Sequence, residues 1–99
     1  MSVPVVAVFR AKRGHEEAIE EMFRSVIETT LSEDGCIVYQ LNRDIADPSR
    51  FVWIEDWTSV ELLNRHLSAP HITELFSKLP DLVESSDVFK LTPLAGGKA

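Results

Sequence analysis

The chain is short of the residues that staple or loosen small folds. Its 99 residues hold one cysteine, four glycines and five prolines. A lone Cys36 excludes an intramolecular disulfide and fits a reducing cytoplasm. So few glycines and prolines exclude a collagenous or low-complexity chain. Positive charge is also scarce: 10 Lys and Arg stand against 16 Asp and Glu, a net charge of -6 with no basic cluster. Nucleic acid would be repelled over most of the surface, so no nucleic-acid role is expected. The first apolar run, in "MSVPVVAVFRAKRG", follows no basic segment and is too short to cross a bilayer. Neither a membrane partner nor a leader is read from it. A glycine-rich phosphate loop and a dinucleotide fingerprint are both missing, which leaves a bound nucleotide or flavin without support. These absences describe a soluble cytoplasmic protein of one domain, residues 1–99, with a flexible tail over about 95–99.

What is present is strongly periodic. Val3 to Lys12 is valine-rich and suits a strand buried on both faces. From Gly14 onward, Ile19, Met22, Phe23, Val26, Ile27 and Leu31 recur at helical steps, with Glu16, Glu17, Glu20 and Glu21 near the positive end of the dipole. "SEDG" stops that helix. "CIVYQLNRD" and "RFVWIEDW" form a hairpin about "IADPS", where Asp47-Pro48 signals the turn. Ser59 to Leu67 reads as a second helix that Pro70 restarts, with Ile72, Leu75, Phe76 and Leu79 on its apolar face. "SSDVFKLTPL" is the last strand. The order βαββαβ defines an α+β, ferredoxin-like fold with an antiparallel sheet. Val52 and Ile54 alternate with Phe51, Trp53 and Trp57, so both faces of the sheet require burial while two helices cover one. A second copy covers the other most simply, which predicts a twofold homodimer whose sheets pack together or close into an α+β barrel.

Two of the three histidines flank a proline in "HLSAPH", residues 66–71. A spacing of five places them about 140° apart on an unbroken helix, and no cysteine or carboxylate cluster completes a ligand set nearby, so no metal is expected. In one reading His66 closes a helix, where an imidazolium meets the dipole, and Ser68 or Ala69 caps the next. In the other, His71 sits in a first helical turn that attracts anions, and exchanges a proton near neutral pH. Trp53 and Trp57 share a strand face with Glu55. They are either core, with Glu55 paired to Arg43 or Arg50, or an aromatic wall with a carboxylate at its edge. Tyr39 and Asn42 fall on opposite faces and do not line one pocket together. His15 reads as a surface residue, and Cys36 as a small packed side chain with no histidine partner.

"EDGCIVYQLNRD" followed by "DPSRFVWIEDWTSVELLNRHLSAPH" resembles the antibiotic biosynthesis monooxygenase (ABM) superfamily, through Gly-Cys, Glu-x-Trp and His-x-x-x-Pro-His in that order. The resemblance implies a ferredoxin-like dimer. Its quinol-oxidising branch implies oxygenation of a quinol or polyphenol by dioxygen without metal or flavin. On that basis His66 and His71 are the expected catalytic proton carriers or oxyanion donors. Trp57, Glu55, Trp53 and Tyr39 are the expected substrate-binding residues, for a small aromatic or hydroxylated substrate. The asparagine of the haem-degrading branch falls near Ala7 and its haem-ligating histidine near Phe76, which disfavours haem degradation. The branch that processes phosphorylated autoinducer-2 shares the His-x-x-x-Pro-His pattern and isomerises its substrate. Isomerisation, and a non-catalytic aromatic-binding dimer, therefore stand as alternatives.

Overall fold

A computed structural model describes residues 2–97. Strand β1 (Val3–Ala11) leads to helix α1 (Glu16–Ser25) and a short continuation, α2 (Ile27–Leu31); the hairpin follows as β2 (Cys36–Arg43) and β3 (Arg50–Trp57). Helices α3 (Val60–Leu67) and α4 (Pro70–Lys78) come next, then a 3₁₀ turn at Leu79–Asp81 and strand β4 (Val83–Lys90). The strands lie in the order β2-β3-β1-β4, all antiparallel. This is the ferredoxin-like sheet expected from the element order.

Alternation along the strands decides which side chains face the helices. Val5, Ala7, Phe9 and Ala11 of β1 meet Phe51, Trp53, Glu55 and Trp57 of β3 on the covered face, all of them buried. Phe23 of α1 drops into this layer, with ring centroids 5.1 Å from Phe9, 5.4 Å from Trp53 and 6.0 Å from Phe51, each edge-on. Such pairs add about 0.5–1.5 kcal/mol beyond the area they bury.

The opposite face is not buried within one chain. Val6, Val8 and Val52 are half-buried there, whereas Val38, Ile54 and Phe89 are 39%, 44% and 50% exposed.

Some boundaries differ from the sequence pattern. The first helix starts at Glu16, after His15 rather than at Gly14, and is interrupted at Val26, whose N–H reaches the Phe23 carbonyl at 3.4 Å. Leu31 lies beyond this break and is 54% exposed, so it does not extend the apolar face. The last strand begins at Val83 and ends at Lys90, since its pairing with β1 runs only from Ala11 back to Val5. Of the expected tail, residues 98 and 99 lie outside the described residues.

Three local devices position the candidate site. Ser59 caps α3 by accepting from the Leu62 N–H at 3.2 Å. Pro70 opens α4 after the extended Ala69 (φ -65°, ψ 145°), so the helix is broken between His66 and His71. The third device is Gly35, at φ +84°, where a Cβ would lie 2.5 Å from Leu62 Cδ1 and 2.8 Å from Thr58 Oγ1. Only glycine meets both the left-handed backbone and this close approach. Its carbonyl accepts from Thr58 N–H at 2.9 Å, which ties the turn after α2 to the start of α3.

Candidate functional site

The turn held by Gly35 aims Glu33 between the two histidines. His66 Nδ1 lies 2.8 Å from Glu33 Oε2, and His71 Nε2 lies 3.1 Å from Glu33 Oε1 and 3.0 Å from Thr30 Oγ1. His71 points its Nε2 at the threonine well enough for a hydrogen bond. Glu33 Oε1 is buried with no hydrogen-bond partner.

His66 is 3% exposed. Its ring tilts against Trp57, with centroids 4.5 Å apart, and stands edge-on to Tyr39 at 5.4 Å. Burial, then the neighbouring His71, pushes its pKa down to about 4. Burial thus opposes the imidazolium expected at a helix end and favours the neutral ring near neutral pH. With Glu33 ionised, Nδ1 is the donor to Oε2, which leaves the lone pair on Nε2. Burial raises the Glu33 pKa while His71 pulls it down.

Glu55 occupies the covered face beside this group and is 7% exposed. Its Oε1 accepts from Trp57 Nε1–H at 2.9 Å. Neither expected arginine reaches it: Arg43 pairs with Glu20 and Arg50 with Asp44, because both arginines sit near the hairpin turn. Burial raises the Glu55 pKa to about 7, against the opposing Trp57 hydrogen bond, and Glu33 adds to the rise. Tyr39 stacks on Trp53 at 4.5 Å, and burial with nearby carboxylates raises its pKa. Cys36 is likewise pushed up to about 11, by burial, Glu33 and Glu55, which makes it a weak nucleophile at neutral pH.

A cavity of about 30 Å³ lies between the sheet and helices α3 and α4, with Tyr39, Trp53, Glu55 and His66 on its wall and Leu67, Phe76 and Val88 among its apolar lining. Of the six residues singled out from sequence, four thus share one cavity. Trp57 stands behind it, fully buried between His66 and Glu55. His71 lies on the far side of Glu33 and faces a surface depression with Met22, Glu74 and Lys78.

The sequence argument against a ligand set does not hold geometrically. The helix is broken, so the 140° separation does not apply, and Glu33 supplies a carboxylate from 33 residues away along the chain. Glu33 and Thr30 were both missed. The available signal was the glycine in "SEDG", which marks a turn tight enough to aim a side chain inward.

This site lies within residues matched by the family model for antibiotic biosynthesis monooxygenase, which covers residues 2–78. The chain belongs to that family. It is 33% identical over 78 residues to the Escherichia coli protein named probable quinol monooxygenase YgiN, spanning 69% of this chain and 75% of that one. It also superposes on Rv0793 from Mycobacterium tuberculosis with a TM-score of 0.91 at 25% identity, covering 99% of this chain and 100% of the other. PA3566 from Pseudomonas aeruginosa gives 0.89 at 29% identity over 95% of both chains. No helix among the described residues is long and apolar enough to cross a membrane.

Proposed function

We propose that this protein is a monooxygenase that oxidises a quinol or polyphenol with dioxygen, in the cavity between the sheet and helices α3 and α4, without a cofactor. The observation that carries this reading is the pairing on one cavity wall of a buried carboxylate near neutrality, Glu55, with a neutral imidazole, His66, among aromatic rings in an ABM-family chain. The relative named as a quinol monooxygenase supplies the substrate class.

The two groups differ as bases. A phenolic hydroxyl ordinarily loses its proton near pH 10. Transfer to His66, held at about 4, is uphill by about 8 kcal/mol, and transfer to Glu55, at about 7, by about 4 kcal/mol. Glu55 is therefore the base, and the lone pair of His66 Nε2 accepts from a second hydroxyl of the quinol or polyphenol and so orients the ring. Closing the cavity around the substrate excludes water from the phenolate. The electron-rich anion then passes an electron to dioxygen; the recombined peroxide loses water to leave a quinone, with one oxygen atom in the product and one in water. His71 acts through Glu33, holding the carboxylate that fixes the His66 ring.

The present cavity has room for about one water molecule. A quinol enters only when the rim opens, and Phe76 and Val88, 38% and 43% exposed, are the exposed apolar side chains at that rim. The uncovered sheet face, with Val38, Ile54 and Phe89, supports a homodimer packed sheet to sheet.

Oxygen uptake by purified protein with reduced naphthoquinols and anthrols, corrected for autoxidation, tests the reading. Stoichiometric, protein-dependent uptake that falls about 100-fold or more in Glu55→Gln is expected. Product formed equally without oxygen would replace it by isomerisation, and binding without turnover by the non-catalytic module.

A further inference from the structure

The geometry points to a divalent transition-metal site formed by Glu33, His66 and His71. This inference concerns the resting protein and stands independently of the oxygenase reading. Among the described residues, these three bring together ligand atoms that all lie within 4.8 Å of one another. Two imidazoles and a carboxylate form a nitrogen and oxygen donor set that suits Zn²⁺, Co²⁺ or Ni²⁺ rather than Ca²⁺ or Mg²⁺.

The distances permit the ion with small movements. Bonds of about 2.0–2.1 Å in a tetrahedral site place neighbouring ligand atoms about 3.3 Å apart. The Glu33 Oε1 to His71 Nε2 separation is already 3.1 Å, and Glu33 Oε2 to His66 Nδ1 is 2.8 Å. Each imidazole thus sits on its own oxygen of Glu33, and a bidentate carboxylate, or one turned to share an oxygen, admits an ion once the ligand atoms, now within 4.8 Å of one another, draw to about this spacing.

Two further features favour binding. Glu33 Oε1 is buried without a hydrogen-bond partner although His71 Nε2 lies 3.1 Å away, so its lone pairs are open to an ion. An opening lined by Glu33, Asp34, Leu62, Arg65, His66 and Ala69 connects the cluster to the surface, and the net charge of -6 draws cations to it. Three protein ligands leave a fourth position for water. The ion takes the place of the proton held between Glu33 and His66, so metal occupancy and that hydrogen bond exclude each other.

Chelator-treated protein titrated with Co²⁺ tests this by visible absorption, and with Zn²⁺ by calorimetry and by the imidazole nitrogen resonances. The expected result is saturable one-to-one binding, low-coordinate Co²⁺ bands, and shifts confined to His66 and His71. Glu33→Gln and His71→Ala each weaken binding at least about 10-fold, while His15→Ala, at an exposed position outside the cluster, binds as wild type. Both informative variants change partly exposed side chains, and far-ultraviolet circular dichroism confirms their fold. Absence of saturable binding, or equal binding by Glu33→Gln and His71→Ala, overturns the assignment. Both results are read from binding alone; an ion on His66 Nδ1 leaves the ring proton on Nε2 and is expected to slow oxygen uptake.

Discussion

Burial moves the protonation of Glu55 and His66 in opposite directions, and replacing either one exposes the contribution of the other to stability. Glu55 is raised from 4.5 to about 7. Between those values the unfolded chain has released this proton and the native chain retains it, so stability falls as pH rises. That contribution is complete below pH 4.5 and gone above about 7. His66 is lowered from 6.5 to about 4. Here the unfolded chain is protonated while the native ring is neutral, so stability rises with pH; this contribution is complete above 6.5 and lost as pH falls through about 4. At about 1.4 kcal/mol for each pKa step of one, each contribution amounts to about 3 kcal/mol. Across their shared window, pH 4.5 to 6.5, the two slopes cancel. Glu33, also raised, adds to the falling side in both wild type and variant, so the difference between them isolates Glu55. Urea unfolding of wild type and Glu55→Gln, followed by tryptophan fluorescence at one protein concentration across this window, measures that difference. The variant should gain about 3 kcal/mol of pH-dependent stability relative to wild type as pH rises from 4.5 to 7. A difference independent of pH would refute the burial argument for this carboxylate.

Two predictions concern the scaffold. Gly35→Ala combines a left-handed backbone with a Cβ 2.5 Å from Leu62 Cδ1, and should cost about 2–4 kcal/mol in urea unfolding; a loss below about 1 kcal/mol would show that the turn relaxes freely. Ile54→Asp with Phe89→Asp charges the uncovered sheet face, and sedimentation should show a dimer in wild type and a monomer in the double variant. A stable wild-type monomer at micromolar concentration would remove the sheet-to-sheet assembly.

The element order was legible because local periodicity carries it. Phe51, Trp53, Glu55 and Trp57 declare one strand face by alternation alone, and Ser59 and Pro70 mark helix starts with side-chain chemistry. The common face of Trp53, Glu55 and Trp57 was legible for the same reason; Tyr39 and Asn42 do fall on opposite faces, but both border the depression along the β2 edge, so their exclusion from one pocket did not hold. The rest of the site depends on contacts that no local pattern encodes. Glu33 reaches His66 across 33 residues and Thr30 reaches His71 across 41, and both sit at a helix end where solvated polar residues are ordinary. Glu55 invited an arginine partner on charge grounds, but the nearer Trp57 Nε1–H was available two residues along the same face. The burial that sets His66 near 4 and Glu55 near 7 arises from the layer above the sheet and has no counterpart in sequence.

On the proposed reading Glu55 is the base in oxygenation. The pH dependence of kcat/KM for oxygen uptake, in wild type and Glu55→Gln at equal protein concentration, tests it most directly. The wild-type rate should rise with pH through about 7 as the carboxylate ionises, and this limb should disappear in the folded variant with a large loss of rate. An unchanged limb and rate in Glu55→Gln would remove Glu55 as the base and leave the proton to be taken elsewhere.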